Sequence, residues 1–134
     1  MTPVAVGESA VLDVVVTEAM TVDFDRLGPV HPVYATYAMA KHFEEAGRVL
    51  LLAHLEPGEA GVGTAVSVEH LAPAWPGDRV RVTATCTAVD GNRLTCALTA
   101  VDARGRLLGR GSTGQAVLPA DVLAARLARP GPPG

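Results

Sequence analysis

Hydrophobic and polar positions alternate along the 134-residue chain with two different periods. Residues 9–16 (SAVLDVVV) are rich in β-branched side chains and predict a first strand. Residues 17–32 carry Asp23, Asp25, Gly28, Pro29 and Pro32 and predict an irregular connection across one end of a sheet. Over residues 33–55 the apolar or small positions Val33, Tyr37, Ala40, Phe43, Gly47, Leu50 and Leu51 follow helical spacing. Lys41, His42, Glu45 and Arg48 fall mostly on the opposite side. Gly47 costs about 1 kcal/mol in a helix interior relative to Ala, so a close neighbour is expected there. Pro57 and Gly58 end the helix.

From Gly61 onward the period falls to two. Residues 61–71 predict a strand and residues 73–78 a turn. In residues 79–89, Val80, Val82, Ala84, Cys86 and Ala88 face one way, and Arg79, Arg81, Thr83, Thr85 and Thr87 the other. Asp90-Gly91-Asn92 is a hairpin signal. Residues 93–101 and 106–118 predict two further strands joined by a turn. Gly109, Gly111 and Gly114 in the last strand imply a bulge or a close approach by another backbone or a ligand. Residues 119–129 predict a short helix and residues 130–134 a frayed tail. The expected class is α+β: a long central helix against a five-stranded antiparallel sheet. One domain is expected to span residues 1–134, with its core over about residues 5–118 and the C-terminal helix and tail over residues 119–134.

Composition narrows the function. Aromatic residues are 4% of the chain, so the core must be built from Val, Leu and Ala. The net charge is −3, Lys41 is the single lysine, and no basic stripe exists, which argues against a nucleic-acid partner. No apolar run approaches the ~18 residues a membrane span needs, and no signal-like segment opens the chain. A cytoplasmic protein is expected. Cys86 and Cys96 are too few for a metal cage or disulfide scaffold and read as small buried hydrophobes. No ligand spacing argues for a metal, and no cofactor is expected.

The informative polar residues are Thr36 at the helix start, Glu44 two turns on, and His70 at the end of the strand that also holds Gly63. Each has a plain alternative. Thr36 can cap the helix, Glu44 can be a solvated carboxylate, and His70 a surface imidazole. His31, His42 and His54 read as surface or structural. Taken together, a carboxylate and an imidazole can share acid–base work at a thioester, and a glycine N–H can approach its carbonyl.

Val33-Tyr34-Ala35-Thr36, Glu44, Leu55-Glu56-Pro57-Gly58-Glu59, Gly63-Thr64-Ala65 and Val68-Glu69-His70 occur in that order. This series resembles the hotdog-fold thioesterases of the fluoroacetyl-CoA thioesterase type, from about residue 5 to residue 118. The resemblance implies a helix wrapped by an antiparallel sheet, and a homodimer, or a dimer of dimers, with active sites at the subunit interface. It implies catalytic roles for Thr36, Glu44 and His70, with Glu44 and His70 moving protons or activating the nucleophile and Thr36 orienting or attacking. It implies that Gly63 holds the thioester carbonyl. Two departures matter. Ser112-Thr113-Gly114-Gln115-Ala116-Val117 matches a family run in which an Arg stands where this chain has Gln115, so Gln115 is the expected substrate-contacting residue. The segment from Phe24 to Val30 lacks the paired Phe residues of the family's lid. The expected substrate is therefore a general short or medium acyl-CoA rather than fluoroacetyl-CoA. Arg79, Arg81, Arg104, Arg106 and Arg110 are candidates for its phosphates. A non-catalytic acyl-CoA binder and a hotdog enoyl-CoA hydratase or dehydratase are the alternatives. The Asp/His pair of the hydratases has no match on the long helix.

Overall fold

The computed structural model describes residues 1–132. The last two residues of the expected tail lie outside the described residues. The chain runs β1 (Ser9–Val15), a 3-10 turn, β2 (Thr21–Phe24), β3 (Gly28–Tyr34), α1 (Thr36–Leu52), β4 (Glu59–His70), β5 (Arg79–Asp90), β6 (Arg93–Asp102), β7 (Leu107–Pro119) and α2 (Ala120–Leu127). Five strands form one antiparallel sheet in the order β1-β5-β6-β7-β4. The helix α1 packs across it, so the expected class and strand count hold.

The core follows from the alternation. Val80, Val82, Ala84 and Cys86 of β5 and Leu94, Cys96, Leu98 and Ala100 of β6 face α1 and are buried. Cys86 and Cys96 are register partners and free thiols. The alternation fails at Ala88, expected inside but exposed, because a bulge between Cys86 and Ala88 shifts the register.

Two expectations fail around α1. Residues 17–32 are not irregular: β2 and β3 form a separate two-stranded sheet. Its register breaks twice and β3 carries two prolines, which hid the pairing. The Tyr37 hydroxyl binds this ribbon, accepting from the Asp23 N–H at 2.9 Å and lying 2.9 Å from the Thr21 and Asp23 carbonyl oxygens. Tyr37 is thus a contact with the ribbon rather than a core residue. The buried stripe of α1 is Ala38, Met39, His42, Phe43, Ala46, Gly47, Leu50 and Leu51, successive pairs four residues apart. His42, expected on the outer side, belongs to that stripe and is 7% exposed.

The expected close neighbour of Gly47 is β7. A Cβ on Gly47 would lie 2.8 Å from Thr113 Oγ1 and 3.3 Å from Gln115 Nε2. Gly47→Ala is therefore expected to lower stability by roughly 1–2 kcal/mol through overpacking, although Ala is intrinsically about 1 kcal/mol better in a helix. The midpoint of urea unfolding reads the sign directly. No helix among the described residues is long and apolar enough to cross a membrane.

Candidate active site

Thr36 is the first residue of α1 but does not cap it. Ala35 occupies the cap position in extended backbone (φ −75°, ψ 145°), and no side chain caps this end. The Thr36 hydroxyl is instead 3.0 Å from Nδ1 of His70, at the end of β4. The two residues, 34 apart in sequence, meet because β4 returns alongside the start of the helix. The other ring nitrogen, His70 Nε2, is buried and has no hydrogen-bond partner among the described residues.

Beneath His70 lies a polar pair that sequence reasoning missed. The ring of Tyr34, fully buried, stands nearly perpendicular to His70 with centroids 6.1 Å apart. Its other neighbour is His42, with ring centroids 5.7 Å apart and planes at 25°. The Tyr34 hydroxyl is 2.5 Å from His42 Nδ1. Burial pushes the Tyr34 hydroxyl well above the ordinary tyrosine range. Burial also lowers the His42 imidazole, against the pull of Glu45 and with a smaller push from Lys41. Tyr34 therefore keeps its proton, His42 stays neutral, and the hydroxyl donates to the Nδ1 lone pair. The spacing of His42, four residues from both Ala38 and Ala46, was the signal available in the sequence.

The remaining candidates meet elsewhere on the chain. Glu44, Gly63 and Gln115 line a cleft of about 440 Å³ with Lys41, Glu45, Arg48, Ala65, Thr113 and Gly114. Gly63 and Gln115 are register partners on β4 and β7, beside a bulge that leaves Thr64 unpaired. Bulges of this kind re-aim side chains next to sites. A Cβ on Gly63 would sit 3.5 Å from Glu44 Oε1, so the carboxylate lies just over the glycine. Gln115 is 5% exposed and donates from Nε2 to the Gly47 carbonyl at 2.9 Å. A neutral amide thus fills the place where the family pattern has a cation.

One chain does not join the two groups. The cleft around Glu44 includes neither Thr36 nor His70. Gly63 and His70 are seven residues apart on one strand, about 23 Å at 3.3 Å per residue. Of the arginines expected near CoA phosphates, Arg81, Arg106 and Arg110 pair with Asp13, Asp102 and Glu69. Lys41 and Arg48 are the cations that border the cleft, and neither was singled out from sequence. Burial pushes the Cys96 thiol up to about 11, which removes it as a nucleophile at neutral pH. No group of three or more His, Cys, Asp or Glu among the described residues is placed to hold a metal ion.

Known proteins share this fold. The sequence profile of the fluoroacetyl-CoA-specific thioesterase family matches residues 16–121. The fluoroacetyl-CoA thioesterase of Streptantibioticus cattleyicolor is 35% identical over 102 residues, 76% of this chain and 73% of that protein. A Thermus thermophilus protein of the thioesterase superfamily superposes with a TM-score of 0.92 at 49% identity, covering 94% of this chain and 92% of its own. The fluoroacetyl-CoA thioesterase FlK superposes at 0.87 with 32% identity, over 97% of this chain and 99% of its own. Variants of FlK have been solved with acetyl-CoA and with fluoroacetate. The fold is therefore the hotdog expected from the sequence motifs, and the chain belongs to the fluoroacetyl-CoA-specific thioesterase family.

Proposed function

We propose that this chain hydrolyses short to medium acyl-CoA thioesters to the free acid and CoA, at a site completed by two copies of the chain. The whole chain acts as one such domain. The observation that carries the reading is the Thr36–His70 hydrogen bond, set apart from a cleft that holds Glu44 over Gly63. Either half alone lacks a part that the chemistry needs.

The free edge of β4 supplies a way to join them. Among the described residues β4 pairs only with β7, and residues 63–67 on it are exposed. An unpaired edge of that length is a template for a second strand. Antiparallel pairing of two β4 edges, centred between Val66 and Ser67, sets Gly63 of one copy opposite His70 of the other. Each homodimer then holds two sites, and further pairing of dimers leaves them intact. In each site the Gly63 N–H side holds the thioester carbonyl. Glu44 and His70 move the proton of the attacking water, and Thr36 orients it. Water adds to the carbonyl carbon, the C–S bond breaks, and the thiolate leaves with a proton.

Gln115 directs the substrate away from fluoroacetyl-CoA, because a neutral side chain hydrogen-bonded to the helix backbone offers the acyl group no fixed positive charge. Two unpaired buried thiols suit the reducing cytoplasm. A panel of acyl-CoAs of increasing length, read by thiol release, tests the proposal. Turnover concentrated on short or medium chains, from protein with the mass of a dimer in light scattering, is the expected result. Tight binding without turnover would replace it with a carrier, and hydration of crotonyl-CoA with a hydratase.

A further inference from the structure

We infer that Tyr34, tethered through its hydroxyl to His42, is the positioning residue for His70 and holds its Nδ1 lone pair toward Thr36. This rests on the hydrolase reading only for its kinetic consequence. Three contacts carry it: the Tyr34–His42 hydrogen bond, the Tyr34 ring against His70, and the Thr36–His70 hydrogen bond.

The geometry works in two steps. Among the described residues the His70 side chain is held by one hydrogen bond, at Nδ1, which by itself leaves the ring free to swing about that point. The ring of Tyr34 removes this freedom by standing against it at 71°. Tyr34 can serve as a wall only if its own ring is fixed, and the hydroxyl bond to buried His42 does that. His42 is in turn rigid because it sits in the packed stripe of α1.

The same contacts select a tautomer. His70 Nε2 is out of water with no partner among the described residues. The aromatic ring that packs with His70 is that of Tyr34, at 71° to it. Beside such a ring an N–H gains a weak attraction to the negative π-cloud, and a lone pair does not. The proton therefore belongs on Nε2, and Nδ1 is left to accept from the Thr36 hydroxyl. A His70 in that state can take a proton on the side that Thr36 faces, which is the exposed one. Tyr34 itself is fully buried and touches no substrate.

The test combines ring-nitrogen NMR with kinetics. In wild type the 15N shifts of His70 are expected to report the Nε2–H tautomer. Tyr34→Leu, which removes the wall, and Tyr34→Phe, which removes only the tether, should both shift them toward a mixture. With the best acyl-CoA, Tyr34→Leu should lower kcat roughly 10- to 100-fold, the scale of small misplacements of reacting groups, with KM within about twofold. Tyr34→Phe and His42→Leu should lie between this and wild type, and they keep the test open if Tyr34→Leu fails to fold. In a His70→Ala background none of these changes should reduce the residual rate further, since residues that act as a unit are not additive. A Nδ1–H tautomer in wild type, unchanged shifts in both Tyr34 variants, or an equal loss of rate in the His70→Ala background would each overturn the inference. If wild type turns over no acyl-CoA, the hydrolase reading fails while the NMR arm still decides the role of Tyr34.

Discussion

Glu44→Ala and His70→Ala are each expected to lower kcat/KM at least about 10²-fold, the scale set by a positioned acid or base. The loss should be chemical rather than structural. Glu44 is exposed and makes no hydrogen bond among the described residues, so its truncation removes nothing there that holds the fold. His70 gives up one bond to Thr36 and its contact with the Tyr34 ring. Melting curves close to wild type with activity lost is the signature to look for. A sharper form of the experiment mixes the two inactive proteins after co-refolding. If each site takes His70 from one copy and Glu44 from the other, a mixed dimer contains one intact site and one doubly damaged site. Random pairing then restores roughly a quarter of wild-type activity, because half the dimers are mixed and half their sites are whole. A site built within one chain restores none. Recovery near zero, with both variants shown to be dimers, would remove the shared-site assignment while leaving the chemistry standing.

The parts of this fold that were readable in the sequence are those where one period rules one element. The strands β5 and β6 were placed within a residue or two, because inward Val, Leu, Ala and Cys alternate with outward Arg and Thr, and β7 was placed as closely by the turn that precedes it. The ribbon of β2 and β3 was not readable. Its pairing is irregular, two prolines interrupt it, and it is held from outside by the Tyr37 hydroxyl. That same bond misled the helix reading, since Tyr37 counted as an apolar position pointing to the core. His42 was read as solvent-facing by residue type, yet its partner is a tyrosine on the preceding strand, a relation that periodicity does not carry. Thr36, Glu44, Gly63, His70 and Gln115 came from an ordered set of motifs. The hydrogen bond that replaces a cap at Thr36, and the distance that separates His70 from Glu44 in one chain, arise only once β4 is laid at the sheet edge. Two oddities in the sequence, a glycine in mid-helix and a glutamine in a strand, explain each other. The small residue lets β7 come close, and Gln115 then reaches the Gly47 carbonyl.

Gly111→Ala should be among the most damaging single methyl additions in the sheet. Gly111 pairs with Val68 between β7 and β4, and a Cβ on it would lie 1.8 Å from the Ser67 carbonyl oxygen and 2.7 Å from the Ser67 carbonyl carbon. Both are backbone atoms, so no rotamer change relieves the overlap, and β4 must move as a strand. An overpacked site ordinarily costs about 1–3 kcal/mol, and a clash with fixed backbone belongs at or above the top of that range. For a domain of this size the melting temperature should fall by roughly 10 °C. Gly114, three residues along the same strand, is the control. A Cβ there would meet the end of the Thr64 side chain at 3.1 Å, and Thr64 is exposed and free to turn away. Gly114→Ala should therefore melt within a few degrees of wild type. The two variants add the same atom to the same strand, so a large difference between them isolates the nature of the atom that is met. The damage also has a direction. Ser67 and Val68 lead into Glu69 and His70, so a displaced β4 carries His70 away from Thr36. Gly111→Ala protein that still folds in the cold should thus lose thioesterase rate even where its far-ultraviolet spectrum is unchanged. Equal melting temperatures for the two variants would mean that β4 and β7 are not packed as closely along this stretch as the contact requires.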